Sequence, residues 1–144
     1  MNNNDLQALF DKIAEGAKAE ALADKPIITL GELIAKLENQ NPEDRLAVQY
    51  GGSVLAVEGV GSYRGYYSDL AIEPVSGPFG TVAEGLEILR GAVGQTFEGY
   101  KGGDYRMTNR TLVWVEHYGN YSGQGVTGIG VVEDVVVITS EEID

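Results

Sequence analysis

TLVWVEHYGNYSGQGVTGIGVVEDVVVITSEE, residues 111–142, is the stretch on which the fold turns. Its runs TLVWVEHY, GVTGIGVV and VVVITSEE are rich in Val, Ile, Thr and aromatic residues and are cut by Gly-rich or acidic turns. That is the composition of strands, because β-branched side chains pack well on a pleated surface while Gly, Asn and Asp supply tight reversals. Short turns between consecutive strands favour antiparallel pairing. Working outward, TFEGY (96–100) and Asp69–Glu73 read as further strands, and Arg45–Tyr50 and Ser53–Val57 flank Gly51-Gly52 as a hairpin.

Helical signals interrupt this β texture at two places. Thr29-Leu-Gly-Glu32 and Thr81-Val-Ala-Glu84 each place Glu three residues after Thr, so that each side chain can satisfy an orphan backbone N–H of the other. The two helix starts look alike, and similar capping is a sufficient reason for that. Ahead of them, Asn4 or Asp5 can cap a helix carrying Leu6, Leu9, Phe10, Ile13 and Ala17 on one face, and Lys25-Pro26 ends it. The expected organisation is therefore an N-terminal amphipathic helix extension over residues 1–26 and a single α+β domain over 27–144. That domain is an antiparallel sheet of five to seven strands, with two or three helices packed mainly on one face.

At 144 residues the chain suits one domain, and its 20 glycines imply many turns. The net charge of −12 argues against general binding to nucleic acid or an anionic membrane, whose affinity comes from Lys and Arg. With no cysteine, disulfides and thiolate chemistry are excluded. The N-terminus lacks a signal-peptide pattern and no apolar run approaches a membrane span, so a cytoplasmic location is expected. His117 is the sole histidine, and the serine of YSGQG lacks the preceding glycine of a nucleophile elbow. Glu116 and His117 are strand neighbours that should point to opposite faces. Glu133-Asp134 and Glu141-Glu142 read as solvated turn and tail. No enzyme, metal site or cofactor is expected from these residues.

What remains is a concentration of positive charge. Beyond residue 44 the basic residues are Arg45, Arg64, Arg90, Lys101, Arg106 and Arg110, and four of these fall in or beside SYRGYY (62–67) and GYKGGDYR (99–106). Arginine can clasp a phosphate bidentately, tyrosine can stack on a base, and glycines let backbone N–H groups approach an anion. Arg64, Tyr66, Tyr67, Tyr100, Lys101, Gly102, Gly103, Asp104, Arg106 and Arg110 are accordingly the candidate ligand-binding residues. GYKGGDY lacks the order of a Walker loop, and a plain β-turn with tyrosines beside it is the alternative reading.

The blocks SYRGYYSDLAI, GQTFEGYKGGDYRM and TLVWVEHYG resemble, in the same order, those of a family of small phage-encoded proteins. The family is similar to the first described type of Thoeris anti-defence protein, and with the TLGEL helix the likeness covers about residues 27–140. It implies a sponge that sequesters cyclic ADP-ribose isomers, and in some members the cyclic oligonucleotides of CBASS immunity, without cleaving them. It also implies a homo-oligomer, a dimer or hexamer with pockets near subunit interfaces. Arg64, Tyr66 and Tyr67 from the first block and Lys101, Gly102, Gly103 and Asp104 from the second are the residues it would employ. Arg106 and Arg110 rest on charge alone. Where the family often has Ala-Asn before Tyr-Gly, this chain has Glu116-His117, which bears on selectivity if that asparagine touches ligand. Two alternatives stand beside this: an acidic inhibitor mimicking nucleic acid, as anti-CRISPR proteins do, and a phosphodiesterase acting on the same messengers.

Overall fold

A computed structural model of the chain describes residues 27–64, 66–98, 102–117 and 120–143. The expected helix of residues 1–26 lies outside them. Two helices and nine strands follow in the order α1 (Leu30–Glu38), β1 (Arg45–Tyr50), β2 (Ser53–Tyr63), β3 (Tyr66–Val75), β4 (Gly80–Thr81), α2 (Val82–Ala92), β5 (Thr96–Glu98), β6 (Asp104–Arg106), β7 (Val113–His117), β8 (Asn120–Val132) and β9 (Val135–Glu142). The fold is α+β, with a mostly antiparallel seven-stranded sheet, a separate β5–β6 pair, and helices packed against the large sheet.

Both capping boxes form. Thr29 Oγ1 accepts from the Glu32 N–H at 3.2 Å while the Thr29 N–H donates to Glu32 Oε1 at 3.1 Å. Thr81 and Glu84 repeat the exchange at 3.2 and 3.0 Å. Gly51-Gly52 turns β1 into β2 with Tyr50 opposite Ser53, Gly51 taking the left-handed φ of 55° that glycine tolerates.

The sheet runs β2-β3-β7-β8-β9-β1-β4, and the β1–β2 hairpin pairs β1 back to β2, so six of the strands close into a ring with β4 outside it. Hairpins supply the antiparallel neighbours apart from β1–β4, whereas β1–β9 and β3–β7 are parallel. These two pairs join strands far apart in sequence, β3 and β7 being separated by α2 and the small sheet, as parallel pairing requires a long crossover. One face carries Leu46, Val48, Leu70, Ile72, Val113, Val115, Val136 and Ile138 against Leu30, Leu33 and Leu37 of α1 and Val82, Leu86 and Leu89 of α2. Gly85 permits the close approach of α2 to β1, since a Cβ there would lie 2.1 Å from Leu46 Cδ2. On the opposite face a smaller cluster gathers Tyr63, Ala71 and Trp114, with Ile27 and Ile143 at its margin. No helix among the described residues is long and apolar enough to cross a membrane.

Candidate functional site

SYRGYY is mostly strand. Tyr63 closes β2, Tyr66 opens β3, and Arg64 lies in the reversal between them. The pairing shifts here from Ser62↔Leu70 to Tyr63↔Tyr66, leaving Tyr67, Ser68 and Asp69 without ladder partners on β2. The Ser62 hydroxyl braces this irregularity by donating to the Tyr67 carbonyl at 2.6 Å.

Beneath the hairpin lies a stack of rings. Tyr63 is wholly buried and lies 4.8 Å from Trp114, at 9° between planes. Tyr66 lies nearly parallel to Trp114 at 5.6 Å, and Tyr121 sits 5.7 Å from Tyr63 and 6.2 Å from Tyr66. Tyr66 and Tyr121 are each 52% exposed, so two buried rings form a floor under two rings that present apolar faces to solvent.

Polar handles fix the floor. Tyr63 Oη accepts from the backbone N–H groups of Ser122 and Gly123, both at 2.9 Å, and lies 3.4 Å from Ser122 Oγ. The Ser122 hydroxyl in turn donates to the Val115 carbonyl. Trp114 Nε1–H donates to Asp69 Oδ2 at 2.9 Å. Partial burial raises the Asp69 carboxyl above its ordinary value, the Trp114 bond opposing the shift. The Tyr121 phenol is also raised, by desolvation first and then by Tyr63, Tyr66 and Glu142.

The second stretch approaches this hairpin from the small sheet. Gly102 and Gly103 adopt φ of 94° and 90°, a left-handed passage that leads into β6. Asp104 then pairs with Glu98, Tyr105 with Phe97, and Arg106 with Thr96. The Tyr105 ring lies 5.8 Å from that of Tyr67. Adjacent residues on β3 thus serve two surfaces, Tyr66 in the ring stack and Tyr67 against the glycine loop's strand.

The candidate residues therefore separate into groups. Arg64, Tyr66, Tyr67, Gly102, Gly103 and Asp104 lie on or lead into the elements that meet at the Tyr67–Tyr105 contact. Tyr100 and Lys101 lie outside the described residues. Arg106 is exposed, and its guanidinium passes near Gly94 at the end of α2. Arg110 sits in the Thr108–Thr111 turn, whose Asn109 and Thr111 carbonyls accept from Gly31 and Leu30 of α1. Trp114 and Asp69 were absent from the sequence-based site. A tryptophan amid valines reads as core, and only the cross-strand register shows what it carries.

A cavity of about 560 Å³ opens elsewhere, lined in part by Tyr50, Leu55, Glu58, Val75, Glu116 and His117. Among the described residues, none of the candidates borders it. Glu116 and His117, expected to face apart, both line this cavity, and the β7–β8 register shifts beside them, one residue of β7 standing against three of β8 between Val115 and His117. Among the described residues no group of three or more His, Cys, Asp or Glu side chains is placed to hold a metal ion. No family model, curated protein or solved structure matches the chain.

Proposed function

We propose that this chain is a phage anti-defence protein that binds and sequesters a cyclic nucleotide immune signal without cleaving it. The signal is a cyclic ADP-ribose isomer or a cyclic oligonucleotide of CBASS immunity. The observation that carries the reading is the meeting of SYRGYY and GYKGGDYR at Tyr67 and Tyr105 within one chain. That contact joins exposed stacking rings, the Arg64 reversal and a left-handed glycine loop on neighbouring elements, a combination suited to base, phosphate and backbone recognition. A sponge acts by mass action, so its sites must rival the messenger in number and bind below the activating concentration. The same reading makes the protein a homo-oligomer, dimer or hexamer, in the host bacterial cytoplasm.

Calorimetry and thermal shift with cyclic ADP-ribose isomers and cyclic di- and trinucleotides test this reading, repeated on Arg64→Ala. Binding at a hundredfold excess over Kd stabilises by about 2.7 kcal/mol. Denaturing the complex should release intact ligand, and recovery of a cleaved product would favour the phosphodiesterase instead. The net charge of −12 favours a second reading, an acidic inhibitor that mimics nucleic acid. Absence of any nucleotide shift together with a co-purifying nuclease would select it.

A further inference from the structure

The floor of the ring stack is also where the N-terminal segment joins the fold. Ile27 packs against the cluster of Tyr63, Ala71 and Trp114. It lies over Gly125, the ladder neighbour of Trp114, where a Cβ would meet Ile27 Cγ1 at 2.7 Å and Ile143 Cγ1 at 2.9 Å. The next residue is held on both sides. The Ile28 N–H donates to the Val126 carbonyl at 2.9 Å, and the Ile28 carbonyl accepts from the Val113 N–H at 3.3 Å. Residues 1–26 are thus tethered at the face that Trp114 floors. Two isoleucines cover Gly125 there, whereas Tyr66 and Tyr121, each one ring away from the floor, remain 52% exposed. Their centroids are 6.2 Å apart, so the open surface is contiguous, and contiguous apolar surface marks a site of contact where scattered single residues do not.

The tethered segment carries a matching face. Leu6, Leu9, Phe10, Ile13 and Ala17 recur at helical spacing, opposite Asp11, Lys12, Glu15 and Lys18. A helix over residues 5–18 is about 21 Å long. Residues 19–26 can span up to about 26 Å, several times the 5.6–6.2 Å between neighbouring rings of the stack, so the stripe reaches both exposed tyrosines while Ile27 stays in place. The tether makes the contact intramolecular, and a surface too weak to recruit a free helix is then filled by one held beside it.

We propose that residues 1–26 are an internal occupant of the ring stack, an amphipathic helix that lays its apolar stripe over Tyr66 and Tyr121 of the same chain. Where the stack takes a base, segment and nucleotide compete for it; that consequence rests on the nucleotide reading, and the docking itself does not.

The test uses the full chain without any nucleotide, so its failure is distinct from a failure of that reading. Hydroxyl-radical footprinting reports side-chain cover residue by residue. In Leu9→Asp/Phe10→Asp the oxidation of Tyr66 and Tyr121 should rise about fivefold, as for a site closed about four-fifths of the time. Tyr67 and Tyr105, which meet on the other surface, should keep their rates, and Lys12→Ala on the polar face should change none of the four. Both substituted positions precede the α+β domain, and unchanged amide positions along β1 and β9 verify that its fold is kept. Methyl-to-ring NOEs from Leu9 and Ile13 to Tyr66 and Tyr121 should appear within labelled chains and vanish in isotope-filtered spectra of mixed labelled and unlabelled copies. Unchanged oxidation of both rings in the double variant would overturn the proposal, as would NOEs seen only between copies, which would make a second chain the occupant.

Discussion

Removing one oxygen tests the ring stack most sharply. In Tyr63→Phe the aromatic area and the 4.8 Å stack on Trp114 are retained, so packing is nearly conserved. What goes is the acceptor shared by the N–H groups of Ser122 and Gly123. The Gly123 amide is buried and loses its partner without access to solvent, a cost of about 1–3 kcal/mol. The Ser122 amide is half-buried and can recruit water, so its cost falls near the lower end, about 1 kcal/mol. The sum is about 2–4 kcal/mol, well above the roughly 1 kcal/mol of an ordinary hydrogen bond. Urea unfolding should show the loss as a lower midpoint at constant m, since little surface changes. Hydrogen exchange should accelerate at the amides of Ser122 and Gly123 while the β1–β9 ladder stays slow in proportion to global stability. A loss under about 0.5 kcal/mol, or unaltered exchange at those two amides, would refute the assignment of Tyr63 as the anchor between β2 and β8.

Three further outcomes follow from the geometry. Gly85→Ala should destabilise by about 1–3 kcal/mol, because its Cβ meets Leu46 at 2.1 Å; Gly91→Ala, with open space around it on the same helix, should stabilise by about 0.5–1 kcal/mol, both read from thermal unfolding. A double-mutant cycle of Tyr67→Ala and Tyr105→Ala should give a coupling of about 0.5–1.5 kcal/mol, and additivity would deny that the two stretches touch. The carboxyls of Asp69 and Glu73 are raised in the folded protein, so their contribution is fully present below their ordinary pKa values and is lost as pH rises through the folded ones. Asp69→Asn combined with Glu73→Gln should flatten that fall in unfolding free energy on the alkaline side of the ordinary carboxyl range.

Locally encoded features were legible in the sequence. The Thr-x-x-Glu spacing fixes both helix starts, and Gly51-Gly52 between alternating residues fixes the first hairpin, because each signal involves partners a few residues apart. The sheet's parallel pairs were not legible, since nothing in Arg45–Val48 names Val135–Ile138 as its neighbour. SYRGYY carried no strand reading, yet β2 runs to Tyr63 and β3 begins at Tyr66, so only residues 64–65 separate the strands. For the site, charge and tyrosine content located the two stretches that meet, but composition could not distinguish Tyr66, in the ring stack, from Tyr67, against β6. Arg110 was drawn in by charge, and it lies in a turn whose neighbouring Asn109 and Thr111 carbonyls bind the first turn of α1. The bulge at Glu58 and the irregularity of β8 between Asn120 and Gln124 escaped notice for a plain reason. A bulge breaks the period of two on which strand reading depends.

The nucleotide site proposed above must act within a chain of net charge −12. β2 has 11 residues, so its ends at Ser53 and Tyr63 are separated by roughly 35 Å at the usual rise per residue. Glu58 stands at the middle of β2, roughly 17 Å along the strand from Tyr63 and about twice the screening length of about 8 Å at physiological salt, so its charge adds little to the potential felt by Arg64. An anion can therefore be held near the ring stack despite the net charge of −12, provided its partners are local: a guanidinium at the reversal, backbone N–H groups of the glycine loop, and faces of Tyr66 and Tyr121. The register breaks at Glu58 and beyond Ser62 are the two points of β2 at which its ladder with β3 is interrupted.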